Sequence, residues 1–252
     1  MQYTKTNLID IYNDTKLYVK NYGHFFPIPK TILIHNISSK IDIINIYDKT
    51  NLLVMNIDCL DITVNMMKQK LFSHPVILNM ASYSNPGGGV EFGSQAQEED
   101  LFRRTNYFIT LNNKTGFYPL KLNNIVYTSN VTVIKDSNYH LTEPQLQVNF
   151  IASSAIKNPI LTPMGTLSIH DIKITKNKIT QIIQTAYIHK HDAIILGAYG
   201  CGAYNNPPHI IASIFKECIK PYMHGAFKYI IFPILSYNDN PNYTIFKNIL
   251  LL

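Results

Sequence analysis

Twice in this chain a short apolar run ends in a glycine-rich loop and passes into a helical pattern. Any fold for the sequence has to place both loops. In the first case residues 76–78, all branched and following Pro75, read as the end of a buried strand. Asn85, Pro86, Gly87, Gly88 and Gly89 cannot be strand interior, because proline lacks a donor and consecutive glycines supply no packing. Gln97, Glu98, Glu99 and Asp100 then start a polar helix that leads to Leu101, Phe102, Arg103 and Arg104. In the second case residues 193–196 form a fully apolar strand of the kind buried in a parallel or mixed sheet. Residues 197–206 are loop, and Pro207 or Pro208 opens a helix running to about Lys220. Strands alternating with helices predict an α/β fold, a mixed sheet flanked by helices. Ligands of such sheets bind beyond the carboxyl ends of the strands, which sets the two loops side by side over one cleft. Glycine loops of this kind expose backbone N–H groups, suited to phosphate or sugar oxygens.

The remaining pattern fills in around these units. A helix is expected over residues 6–22, and strands over 31–37, 41–47 and 52–57, with Asn36, Ser38 and Ser39 separating the first two. Asp58 or Asp61 caps a helix over 62–71. The helix bearing Glu98 and Glu99 is expected over 95–111. Strands follow at 125–128, 131–134 and 148–152, then an irregular loop at 156–166 and a helix at 171–189. A strand at 227–234 and a helix at 244–252 complete the order.

Composition excludes several classes. Hydrophobic residues make up 46% of the 252 and charged ones 15%, which is globular rather than disordered. The net charge of +6 is compatible with an acidic partner, but the lysines are dispersed and form no basic tail. Three cysteines, Cys59, Cys201 and Cys218, make no disulfide framework and point to a reducing compartment. The first residues carry Asp10 and Asp14 and no secretory apolar core, and no run reaches the ~20 apolar residues of a membrane span. The expectation is an intracellular chain, in cytoplasm or nucleus, with no membrane partner. His189 and His191 lie two apart, without metal-ligand spacing, and no cofactor or metal is required.

Neighbours on a helix diverge by about 100°, so Glu98 and Glu99 do not face each other as an opposed pair. One carboxyl acting first as acid and then as base fits better than a retaining pair. Cys201 has no His or Asp close by in sequence and reads as a small packed residue. Arg103 and Arg104 read as solvated helix charges. The full GxGxxG pattern is absent, which disfavours a nicotinamide site.

Asn79-x-Ala81, Asn85-Pro86-Gly87-Gly88-Gly89 and Gln97-Glu98-Glu99, followed a hundred residues later by 196–204 (LGAYGCGAY), resemble the signature of the microbial-type poly(ADP-ribose) glycohydrolases, built on a macrodomain. The resemblance runs from near Asn51 to near Tyr237. It implies a macrodomain-like catalytic domain over 51–252, with residues 1–50 as a helical and strand extension packed on it. The implied activity is hydrolysis of ribose–ribose bonds in poly(ADP-ribose). Glu99 would be the acid and base, with Glu98 and Asn79 holding ribose hydroxyls. Asn85, Gly87, Gly88, Gly89 and Gln97 would line the ribose side. Gly200, Cys201, Gly202 and Ala203 would offer amides to the diphosphate, and Tyr204 would pack on the distal ribose. Asn205 stands where the family has glycine, and asparagine tolerates the left-handed backbone that such a position needs. The implied partners are poly(ADP-ribose) or ADP-ribosylated protein, and ADP-ribosylated nucleic acid as a further possibility, with the chain a monomer. A mono-ADP-ribosyl hydrolase and a non-catalytic ADP-ribose-binding macrodomain are the alternatives. A basic nucleic-acid-binding protein is the third, and it would show salt-sensitive binding of DNA or RNA.

Overall fold

The computed structural model describes residues 3–35, 37, 41–112, 116–121, 123–236 and 240–252. Seven strands form one sheet in the order β1-β4-β5-β3-β6-β7-β2. They are β1 (Lys30–His35), β2 (Asn51–Met55), β3 (Pro75–Met80), β4 (Asn124–Thr132), β5 (Gln147–Ser153), β6 (Ala193–Ile195) and β7 (Tyr229–Pro233). β5, β3, β6, β7 and β2 run parallel, and β4 is antiparallel to both β5 and β1. The mixed α/β sheet expected from the sequence is therefore present.

Strand alternation sends successive side chains to opposite faces. On one face Val76, Leu78, Ile151, Ile194, Ile230 and Phe232 pack with α4 (Ile169–Ile188), α5 (Pro208–Ile219) and α6 (Asn242–Leu251). On the other, Ile77, Phe150, Ala152, Ile195 and Ile231 pack with α1 (Lys5–Tyr22), α2 (Cys59–Lys68) and α3 (Gln97–Arg104). Helix starts follow the side-chain chemistry. Thr4 caps α1 in a capping box with Asn7, Asp58 accepts from the amides of Leu60 and Asp61 to begin α2, and Ser168 caps α4. Pro208 stands at the start of α5.

Four expectations are corrected. Residues 41–47 form no strand. Ile44 and Ile46 are exposed, and the amides here are taken by the Tyr187 hydroxyl and the Gly225 carbonyl rather than by a neighbouring strand. The separators Asn36, Ser38 and Ser39, and the limit placed at Tyr237, lie outside the described residues. α3 stops at Arg104 rather than 111. The next residue, Thr105, is extended and bridges Val133, and the Arg104 carbonyl accepts from Ile134 and Lys135. The strands at 125–128 and 131–134 are one strand, β4, with a register shift between Thr128 and Val131, where Asn130 takes a left-handed φ of 61°. Finally, Arg103 and Arg104 are buried, each 1% exposed. Arg104 pairs with Asp58 (2.8 Å), Asp61 (2.5 Å) and Asp100 (2.9 Å), which joins α3 to the start of α2. Arg103 donates to the carbonyls of Leu8 and Ser94, and its own carbonyl accepts from Thr15. The helix that carries the glutamates is thus fastened to α1 on one side and α2 on the other.

Candidate active site

β3 and β6 are parallel neighbours, so the two glycine loops leave the same edge of the sheet. They part to opposite faces, the first into α3 and the second into α5. The two loops are joined where the hydroxyl of Tyr204, in the second, accepts from the amide of Tyr83 (2.9 Å) in the first.

Glu98 and Glu99 stand in the first turn of α3, 3% and 7% exposed. They diverge as the helix geometry requires, and their surroundings differ. Both oxygens of Glu98 are occupied. Oε1 accepts from Asn79 Nδ2 (3.2 Å), the Gly87 amide (3.2 Å) and the Tyr118 hydroxyl (3.4 Å), and Oε2 accepts from the Ser82 amide (2.7 Å). Burial pushes the Glu98 carboxyl up to about 8, against the bonds from Ser82, Asn79 and Gly87, and the adjacent Glu99 adds to the rise. Glu99 is held by one oxygen only. Its Oε1 accepts from the Gly89 amide (2.8 Å), while Oε2 is buried and has no hydrogen-bond partner among the described residues. A buried carboxyl oxygen without a partner is costly in a structural role, and it is the kind of group a ligand hydroxyl satisfies.

The first glycine loop therefore differs from the anion-binding loop expected. The Gly87 and Gly89 amides point at the two carboxylates, and the Gly88 amide closes a turn on the Asn85 carbonyl. The glycines are needed for close approach. Gly87 and Gly88 have positive φ (74° and 56°), and a Cβ on Gly88 would overlap Oε1 of Glu99 and lie 3.3 Å from Oε2 of Glu98. Asn85 is exposed at the start of this turn. Gln97 holds β3: its Oε1 accepts from the Met80 amide (2.9 Å) and its Nε2 donates to the Leu78 carbonyl (2.7 Å). Asn79 is fully buried, with Oδ1 unpartnered.

In the second loop the amides of Gly200, Gly202, Ala203 and Tyr204 have no acceptor among the described residues. The Cys201 amide already donates to the Ala198 carbonyl (3.0 Å). Gly200 has φ 73°, and a Cβ there would meet Ala155 and Asn206. Asn205 adopts φ 54°, the left-handed conformation its side chain tolerates, and Asn206 locks the loop by donating to the carbonyls of Gly200 and Ile156. Burial raises the Cys201 thiol to about 12, which disfavours the thiolate that a nucleophile needs. His191 is buried, with its ring nitrogens on the Tyr127 hydroxyl and the His74 carbonyl. No cluster of three or more metal-ligating side chains is found among the described residues.

Two participants were missed. Tyr118 comes from an irregular stretch with no periodicity, seated where the Leu120 amide bonds the Tyr83 carbonyl (2.8 Å). Ser82 acts through its amide, and a backbone donor has no residue-type signal in a sequence.

Among structures of known proteins, a poly(ADP-ribose) glycohydrolase from Thermomonospora curvata superposes with a TM-score of 0.80 at 19% identity, over 96% of this chain and 98% of that one. The same enzyme bound to the inhibitor ADP-HPD gives 0.78 at 19% identity, over 96% and 98%. A glycohydrolase from Deinococcus radiodurans in complex with ADP-ribose gives 0.72 at 24% identity, over 82% and 86%. At these identities the likeness establishes the fold, and it includes the macrodomain-like sheet flanked by helices. A search of curated proteins finds no match. Among the described residues no helix is long and apolar enough to cross a membrane. Residues 3–136 of the 252 match the family described as microbial-type PARG, catalytic domain, a span that takes in α1 and β1 as well as the first glycine loop, and the chain belongs to that family.

Proposed function

We propose that this chain hydrolyses the ribose–ribose O-glycosidic bonds of poly(ADP-ribose), with Glu99 as the single general acid and base. The observation that carries the assignment is the contrast between the glutamates. Every oxygen of Glu98 is engaged by fixed donors, whereas Glu99 is aimed by Gly89 and keeps one buried oxygen free. That oxygen protonates the departing ribose oxygen, and the carboxylate left on Glu99 stabilises the oxocarbenium-like state and then takes a proton from the attacking water. Glu98, oriented by Asn79 and Tyr118, faces a ribose hydroxyl, and Asn79 Oδ1 is available to a second. The free amides of Gly200, Gly202, Ala203 and Tyr204 receive the diphosphate as backbone donors do at such loops. In this proposal Asn85 and Gln97 shape the wall without touching the ligand. A monomer is the working state of this proposal, because none of the roles it assigns asks for a group from a second copy.

The test is release of ADP-ribose from labelled polymer by the wild type and by Glu99→Gln. Loss of a general acid–base group lowers kcat by about 10²–10⁴-fold. A Glu99→Gln enzyme within about threefold of wild type removes Glu99 from that role. No release by the wild type, with ADP-ribose still bound in a calorimeter, identifies a binding module or a mono-ADP-ribosyl hydrolase instead.

A further inference from the structure

Beside the glutamates, on the side away from the second loop, the chain carries an aromatic ring that the fold does not use. Phe92 ends the short turn Val90–Phe92 and is 78% exposed, while Val90 in the same turn is buried. Single exposed apolar side chains are ordinary; this one is held out by a tightly fixed turn. The Gly89 carbonyl accepts from the amides of Phe92 (2.9 Å) and Ser94 (3.2 Å), and the amide of that same glycine holds Glu99. Gly93 follows with φ 72°, so close to α1 that a Cβ would lie 2.5 Å from the Lys5 carbonyl oxygen. Arg103 donates to the Ser94 carbonyl, and Glu91 pairs with Lys16 Nζ at 3.2 Å. One glycine thus fixes both the carboxyl of Glu99 and the turn that presents Phe92. Lys5 and Lys16 are eleven residues apart on α1, which brings them to within about 20° of the same helical face. Both are on the helix that packs against this turn.

The topology gives this ring a direction. The second loop feeds α5 on one face of the sheet, and the first loop feeds α3 on the other. An ADP-ribose whose diphosphate lies on the second loop and whose terminal ribose reaches Glu99 directs its scissile bond towards the turn and α1. We propose that Phe92 is the leaving-group subsite: its ring stacks on the purine base of the adjoining ADP-ribose unit. The inference rests on the hydrolase proposal above and names which part of the polymer the site reads beyond the bond it cuts.

The test compares kcat/KM on poly(ADP-ribose) with kcat/KM on an ADP-ribosyl glycoside of a simple alkyl alcohol, which has the same glycosyl part and no base in the leaving group. In F92A the polymer-to-alkyl ratio is expected to fall roughly 10-fold, the effect of one lost base–aromatic stack. Phe92→Trp is expected to keep the wild-type ratio. ADP-ribose affinity by calorimetry and Tm verify that each variant is folded. An F92A ratio within twofold of wild type overturns the subsite while leaving the hydrolase proposal standing, and so does a Phe92→Trp enzyme as impaired as F92A. No polymer cleavage by the wild type overturns both.

Discussion

Gly88 offers a way to move Glu99 without touching it. An alanine there would put its Cβ onto Oε1 of Glu99 and 3.1 Å from Cδ, at a φ of 56° that disfavours any side chain. Two costs are mixed in that substitution. The left-handed backbone costs alanine ~1–2 kcal/mol, part of which is offset by ~0.4–1 kcal/mol of lost freedom in the unfolded chain. The net, about 1 kcal/mol, lowers Tm by about 2–4 °C in a chain of this size. The second cost is local, because the carboxyl has to retreat by roughly 1 Å to restore ordinary contact, and a displacement of that size costs about 10² in rate. Gly165 separates the two, for it has nearly the same backbone (φ 72°) with nothing within 4 Å of the added carbon. Both Gly88→Ala and Gly165→Ala should therefore lose a similar few degrees of Tm. Only Gly88→Ala should lose kcat, by about 100-fold, in the rate of ADP-ribose release from polymer. Equal kcat in the two variants would refute the reasoning, since it would mean that the position Gly88 sets for the Glu99 carboxyl does not govern the rate.

Three further outcomes follow from the same geometry. The Glu98 carboxyl keeps its proton up to about 8 when folded, against 4.5 as its ordinary value. Its contribution to stability is therefore complete below pH 4.5 and is lost as pH rises to 8, a swing of up to a few kcal/mol. Tm of the wild type should fall relative to Glu98→Gln across that window, and parallel curves would contradict the buried titration. Arg104→Met leaves Asp58, Asp61 and Asp100 facing one another without their cation. It should cost about 3 kcal/mol, or roughly 6–12 °C of Tm, which thermal melts would show directly. Cys201, with its thiol raised to about 12, should resist iodoacetamide at pH 7.5, and rapid alkylation monitored by mass would show the loop to be open.

Both loops and the helix bearing the glutamates were legible because glycine, proline and a polar helix start are local signals, and nothing elsewhere overrode them. The split of roles between Glu98 and Glu99 was only half legible. Helix geometry said that they diverge, but the oxygen left free depends on amides of Ser82, Gly87 and Gly89 that a sequence does not distinguish. Residues 41–47 have strand composition and no strand, because β-propensity reports a half-buried pleated surface and here the partner is a hydroxyl and a turn. Arg103 and Arg104 look like solvent charges in sequence, since burial of an arginine is decided by partners such as Leu8, Asp58 and Asp61, 43 to 95 residues away.

β1 and β2 are consecutive in the chain and yet lie at opposite edges of the sheet, so His35 and Asn51, with a linker of fifteen residues between them, stand at opposite margins. Seven strands at ~4.8 Å spacing put those margins roughly 29 Å apart, within reach of fifteen residues at ~3.3 Å each. Of that segment, the described part at 41–47 runs along the α4 and α5 side, with Ile43 against the core. During synthesis the residues that leave the ribosome first wait for β4 and then β7 before either margin can close. The margin at β1 can close on β4 near the middle of the chain, whereas the margin at β2 closes only as β7, in the last quarter, arrives.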